Sequence, residues 1–218
     1  MRRLGAISIL GVWAFFGAGS LCAQELAAFQ PDHSINPASF MRVYGSTEAP
    51  PAFVRFCERF PKECVPTSDT ETRLQASAAR LQELDEINAG VNREIQAETD
   101  MQHYGIADFW TLPTDGKGDC EDFALLKRHE LIKRGWPSSA LLMTVVTDES
   151  GRGHAVLTVR TSAGDFILDN KVDDIRTWNK TPYHFLLRQS YLNPRVWMDL
   201  DPTRGDPPLS IAGVELSR

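Results

Sequence analysis

Cys120, His154 and Asp169 are the residues of this 218-residue chain whose types and spacing could do covalent chemistry. Cys120 stands between Gly118-Asp119 and Glu121-Asp122, just ahead of Phe123, Ala124, Leu126, Leu131 and Ile132 and a stop at Gly135-Trp136-Pro137. That pattern predicts a helix capped by Asp119, with Cys120 in its first turn. A thiol there faces unpaired backbone N–H groups and the positive end of the helix dipole. Both favour the thiolate, and the same N–H groups could hold an oxyanion. A small buried cysteine with no chemistry is the competing reading.

A nucleophilic thiol needs a base. The histidines are His33, His103, His129, His154 and His184. His129 follows Cys120 by nine residues, about 900° around a helix axis, and so faces away from it. His154 opens an alternating run to Arg160, after the turn-like Gly151-Arg152-Gly153, and a second run from Phe166 to Asp169 follows. If the intervening loop is the four residues 161–164, residue 160 pairs with 165 and 156 with 169. His154 and Asp169 then share one face of a hairpin within hydrogen-bond reach, whereas a three-residue loop would put them on opposite faces.

Asp119, Glu121 and Asp122 work against this chemistry, because carboxylates beside a thiol disfavour its ionised form. One reading makes them first-turn acids that stabilise the helix. The other makes them ligands of a Ca²⁺ ion that reverses the local field. Spacing alone leaves both open.

The elements that must position these residues read as follows. Leu74, Ala78, Leu81, Leu84, Ile87, Val91 and Ile95 recur every three or four residues and predict an amphipathic helix from Asp69 to about Thr99. Residues 101–118 read as a loop, in which Trp110 either lines a cleft or fills the core. Ala140 to Thr147 reads as a strand ahead of the hairpin, and beyond Trp178 the pattern weakens. Residues 24–50 read as an extended arm.

Arg2-Arg3, the apolar stretch Leu4 to Leu21 and small residues near Ala23 have the layout of a secretory signal peptide. Leu21 before Cys22 argues against lipid attachment. The expected organisation is residues 1–23 as signal, 24–200 as one enzyme domain and 201–218 as a flexible tail. Removing the signal takes two basic residues and no acidic one, moving the net charge from −6 to −8 and making nucleic acid an unsuitable partner. Three cysteines remain. Cys57 and Cys64 can close a small disulfide loop in an oxidising compartment, which leaves Cys120 as an odd thiol that needs a reason.

Taken together, Phe109-Trp110-Thr111-Leu112-Pro113, Gly116 to Ala124, His154-Ala155-Val156-Leu157 and Leu168-Asp169-Asn170 resemble the bacterial transglutaminase-like cysteine peptidases, the LapG-like periplasmic proteases among them. The resemblance runs from about Phe53 to Trp197. It implies an α+β fold with a papain-like, transglutaminase-like core and N-terminal helices packed on an antiparallel sheet. It also implies Cys120 as nucleophile, His154 as base, Asp169 as orienter, and calcium held by Asp119 and Glu121, with Asp122 beside them. The partners implied are a protein substrate such as a large surface adhesin, and an inner-membrane cyclic-di-GMP receptor as inhibitor. A departure from the family pattern is Thr114-Asp115, where a Glu often follows the Trp-x-x-Pro segment. Competing functions are an amine-accepting transglutaminase or amidase, and a calcium-modulated binding module without catalysis.

Overall fold

A computed structural model describes residues 37–67 and 73–203. The predicted signal peptide, most of the predicted arm, Asp69 to Thr72 and residues 204–218 of the predicted tail lie outside the described residues. Among those described, no helix is long and apolar enough to cross a membrane.

A 3-10 turn (Pro37–Ser39) and strand β1 (Ser46–Thr47) lead into helix α1 (Pro51–Arg59). Proline at its first position suits the helix start, since the N–H it lacks has no helical partner there. Pro61 follows directly, and a 3-10 turn (Pro61–Cys64) brings Cys64 back to Cys57. The predicted disulfide is present, with Cα atoms 5.6 Å apart.

Helix α2 (Ala78–Glu94) buries Leu84, Ile87 and Val91, the stripe the periodicity predicts, but it is shorter than the predicted 69–99. Ser77 ends it on one side by accepting the Arg80 N–H at 3.3 Å. Leu74 belongs to the sheet edge instead: its N–H donates to Arg160 O and its carbonyl accepts from Ser162 N. At the other end Ile95 caps the helix and the chain becomes β2 (Gln96–Ala97), paired in parallel with β3 (Lys117–Gly118). The predicted loop between them contains a short helix α3 (Asp100–His103), closed by a Thr99/Gln102 capping box.

Helix α4 (Cys120–Lys133) begins at the nucleophile candidate and ends before Gly135, whose φ of +86° suits a helix terminator. Asp119 is its N-cap by position, yet its side chain makes no cap; the carboxylate accepts from the Asp100 N–H instead. The sheet then follows as β4 (Leu141–Thr147), β5 (Gly153–Thr161), β6 (Gly164–Leu168), β7 (Arg176–Thr177), β8 (His184–Gln189) and β9 (Trp197–Asp199). Its order is β1-β9-β8-β4-β5-β6-β7, antiparallel throughout.

Strands β8 and β9 lie beyond Trp178, where the sequence pattern weakens. A bulge between Val145 and Val146 shifts the β4–β8 register, so both Phe185 and Leu186 are buried and strict alternation is lost. Asp201, in the segment read as tail, accepts from His184 Nε2 at 2.8 Å and from Thr203 N at 2.8 Å.

The main core lies between the helices and one sheet face. Phe53 packs edge-on to Trp110 and Trp197, and Ala155, Leu157 and Val159 of β5 meet α4 residues Phe123, Ala124 and Leu125. Val146, Val156, Ile167 and Phe185 form a smaller cluster on the opposite face. The fold is α+β, with helices packed on an antiparallel sheet.

Candidate active site

Cys120 is half-buried at the first position of α4. The first intrahelical bond there is Phe123 N to Asp119 O, so the Cys120 N–H has no helical acceptor. Cys120 and His154 line one shallow cleft of about 160 Å³, together with Thr99, Asp119, Asp148, Arg152, Asn170 and Lys171.

The hairpin register is the predicted one. Arg160 pairs with Asp165 and Leu157 with Leu168, and the pair Thr161–Gly164 also forms, so the loop proper is only Ser162-Ala163. His154 and Asp169 therefore share a face, and His154 Nε2 lies 2.9 Å from Asp169 Oδ1. Burial alone would raise the Asp169 carboxyl. Bonds from His154, Tyr183 and the Lys171 N–H outweigh it and hold the group below the usual carboxylate range. An ionised Asp169 accepts the Nε2 proton, which leaves Nδ1 as the basic ring nitrogen.

Besides Lys171, three further residues that the sequence motifs do not point to hold Asp169. Asn88 Oδ1, fully buried on α2, accepts its backbone N–H at 2.9 Å. Asn92 Nδ2 donates to its carbonyl at 3.0 Å. Tyr183 Oη donates to Oδ2. Asn88 and Asn92 are a polar i,i+4 pair on the buried side of α2, which was a legible signal; Tyr183 had none.

The other predicted residues are brought together less simply. Asp119 and Glu121 offer ligand atoms within 4.8 Å of each other and of Cys120 Sγ, while Asp119 and Asp122 do so with Asp100. Asp100, Asp108 and Glu121 form a third such group. Asp100 and Asp108 are additions, one read as loop and the other next to it; Thr99-Asp100 resembles an ordinary helix start. Trp110 takes the core alternative: it is fully buried, and its Nε1 donates to Asp108 Oδ1 at 2.9 Å.

Each of four carboxylates in this cluster uses one oxygen on a donor and leaves the other buried without a partner. Asp100 Oδ2 accepts from Phe109 N, Asp119 Oδ2 from Asp100 N, Glu121 Oε2 from Cys120 Sγ at 3.2 Å and Asp122 Oδ1 from Thr111 N at 2.8 Å. Asp100 Oδ1, Asp119 Oδ1, Glu121 Oε1 and Asp122 Oδ2 are the orphans. Burial and the neighbouring acids push Asp100 up to about 6 and Asp122 up to about 9, and Glu121 well above its ordinary value. Burial, then the charge of Asp119, pushes the Cys120 thiol up to about 12. Unpaired buried oxygens of one charge sign are costly, and a hard dication is the group whose chemistry suits four of them. The donor set fits calcium.

A family model of the bacterial transglutaminase-like cysteine proteinases matches residues 43–205. Among solved structures, the chain is similar to calcium-bound Legionella pneumophila LapG at 24% identity, over 73% of this chain and 83% of that one, with a TM-score of 0.48. An EGTA-treated form of the same Legionella pneumophila protein gives 24% identity over 74% and 80%, with a TM-score of 0.46. No curated protein matches the chain.

Proposed function

This chain belongs to the bacterial transglutaminase-like cysteine proteinases, and from that premise we propose that it is an exported, calcium-dependent cysteine endopeptidase whose triad is Cys120, His154 and Asp169. The observation that carries the reading is the pairing of His154 with Asp169 at the wall of the cleft onto which Cys120 opens. His154 takes the thiol proton, and the thiolate attacks a peptide carbonyl while the Cys120 N–H supports the oxyanion. His154 then gives its proton to the leaving amine, and water releases the acyl group from the thioester.

Asp100, Asp119, Glu121 and Asp122 would hold the calcium, whose charge offsets the acids that otherwise keep the Cys120 thiol protonated. Support for export comes from the leader-like residues 1–23 and from the Cys57–Cys64 disulfide, which suits the periplasm. The substrate is proposed to be an exported protein, with the N-terminal region of a large surface adhesin as the first candidate and an inner-membrane cyclic-di-GMP receptor as the candidate inhibitor.

Intact-mass analysis of a candidate adhesin fragment incubated with the chain tests the reaction. Two fragments summing to the substrate plus water are expected, none with folded Cys120→Ala. Cross-linked products in their place would favour the transferase, and no product from any exported protein would favour a binding role. EGTA tests the cation separately: melting temperature falls on chelation, and Asp119→Ala with Glu121→Ala removes that response. A melting temperature indifferent to EGTA would return the acids to a helix-capping role.

A further inference from the structure

We infer that Tyr183 is the positioning residue of the His154–Asp169 pair, fixing the plane of the Asp169 carboxylate and keeping water off the bond to the imidazole. This rests on the triad reading above. Tyr183 lies just before β8, which begins opposite Thr147 of β4; His154 stands opposite the neighbouring Val146. The chain therefore enters β8 at the end of the sheet where the imidazole is.

Two contacts converge there. The Tyr183 hydroxyl donates to Asp169 Oδ2, while Oδ1 serves His154 Nε2 and the Lys171 N–H. A carboxylate held through one oxygen turns easily, because its terminal torsion is broad. Donors on both oxygens fix its plane. Meanwhile the Tyr183 ring stands edge-on to the imidazole, with centroids 5.4 Å apart at 64°. His154 is 2% exposed and Asp169 5%, and the Tyr183 ring is one of the groups against the imidazole. Partly buried and bound to the carboxylate, the phenol is pushed well above its ordinary value, so it remains a donor at any working pH.

Tyr183 does not line the cleft that holds Cys120. It lies instead with Asp169, Val172 and Pro182 around a separate small hollow. The inference therefore separates orientation from substrate contact: losing the hydroxyl should slow turnover and leave substrate binding alone.

The test uses the full chain with calcium and ¹⁵N-labelled histidine. In the unchanged protein the His154 Nε2 proton is expected as a downfield resonance that exchanges slowly with water. Tyr183→Phe keeps the ring and loses the hydroxyl, so exchange should quicken severalfold; Tyr183→Ala should quicken it at least about tenfold more. Assayed on one internally quenched peptide that the unchanged protein cleaves, Tyr183→Phe should lower kcat about tenfold with KM unchanged, and should lower kcat no further when Asp169→Asn is already present, since coupled residues are not additive. Unchanged exchange and turnover in folded Tyr183→Phe would overturn the inference while leaving the triad standing. An equal loss with and without Asp169→Asn would reduce Tyr183 to packing. If the unchanged protein gave no protected His154 proton, this inference would fall, while the triad reading would stand or fall on cleavage and its loss in Cys120→Ala.

Discussion

Asp169 Oδ1 lies 2.9 Å from His154 Nε2, and the contact exists because Arg160 pairs with Asp165 across a two-residue turn. One residue of slippage would turn the carboxylate to the opposite face. If this bond sets the imidazole tautomer, Asp169→Asn should lower kcat by roughly 10²–10⁴-fold while the protein stays folded, as tautomer loss does in Ser-His-Asp enzymes. Steady-state kinetics with circular dichroism on the same sample measures it. Turnover within twofold of the unchanged protein would reject Asp169 as orienter.

Gly118 shapes the acidic cluster by being small. A Cβ there would sit 2.7 Å from both Cβ and Oδ2 of Asp122, a buried residue in the first turn of α4. Gly118→Ala must displace that carboxylate or the β3 backbone. The expected result is a calcium affinity weakened about 10- to 100-fold, by calorimetry, and stability lowered by about 1–3 kcal/mol, by denaturant titration. Unaltered calcium affinity would remove Asp122 from the proposed ligand set.

The Cys57–Cys64 bridge holds a short turn whose Glu63 carbonyl accepts from Arg128 Nη1 of α4 at 2.9 Å, while Glu63 Oε1 lies 2.7 Å from His129 Nδ1. Replacing both cysteines by Ser should cost about 2 kcal/mol, the loop-entropy scale for so small a ring. Reductant should cost the unchanged protein a similar amount and the variant nothing. Equal sensitivity of the two proteins to reductant would refute the role.

Asp148 supplies the acid limb of stability. Burial would raise its carboxyl, but bonds from Lys171, Ser150 and Arg152 hold it well below its ordinary value. The folded-state value is depressed, so the stabilisation is present above about pH 4, the unfolded value, and is lost as pH falls through the folded value. The two ion-pair partners are well exposed, so their own share is small, and the turn hydrogen bonds carry more. Asp148→Asn should lower the melting temperature at pH 7, with the gap to the unchanged protein closing towards pH 2. A gap that widened in acid would contradict this.

The local chemistry is legible in the residues alone. Helix start, thiol, hairpin and disulfide loop depend on neighbours within a few residues, and their signals are capping, periodicity and spacing. Even the His154–Asp169 pairing was legible, because register within a hairpin is set by its own loop. Contacts between distant segments had to come from the fold. Asp100 joins Asp119 and Asp122 because β2 pairs with β3, bringing residue 96 beside 117. Asn88 and Tyr183 reach Asp169 from 81 and 14 residues away. Strand β8 carries no clear alternation in sequence because a bulge shifts its register against β4. No short window carries such information, because burial and pairing between distant segments are settled only when the sheet and helices pack.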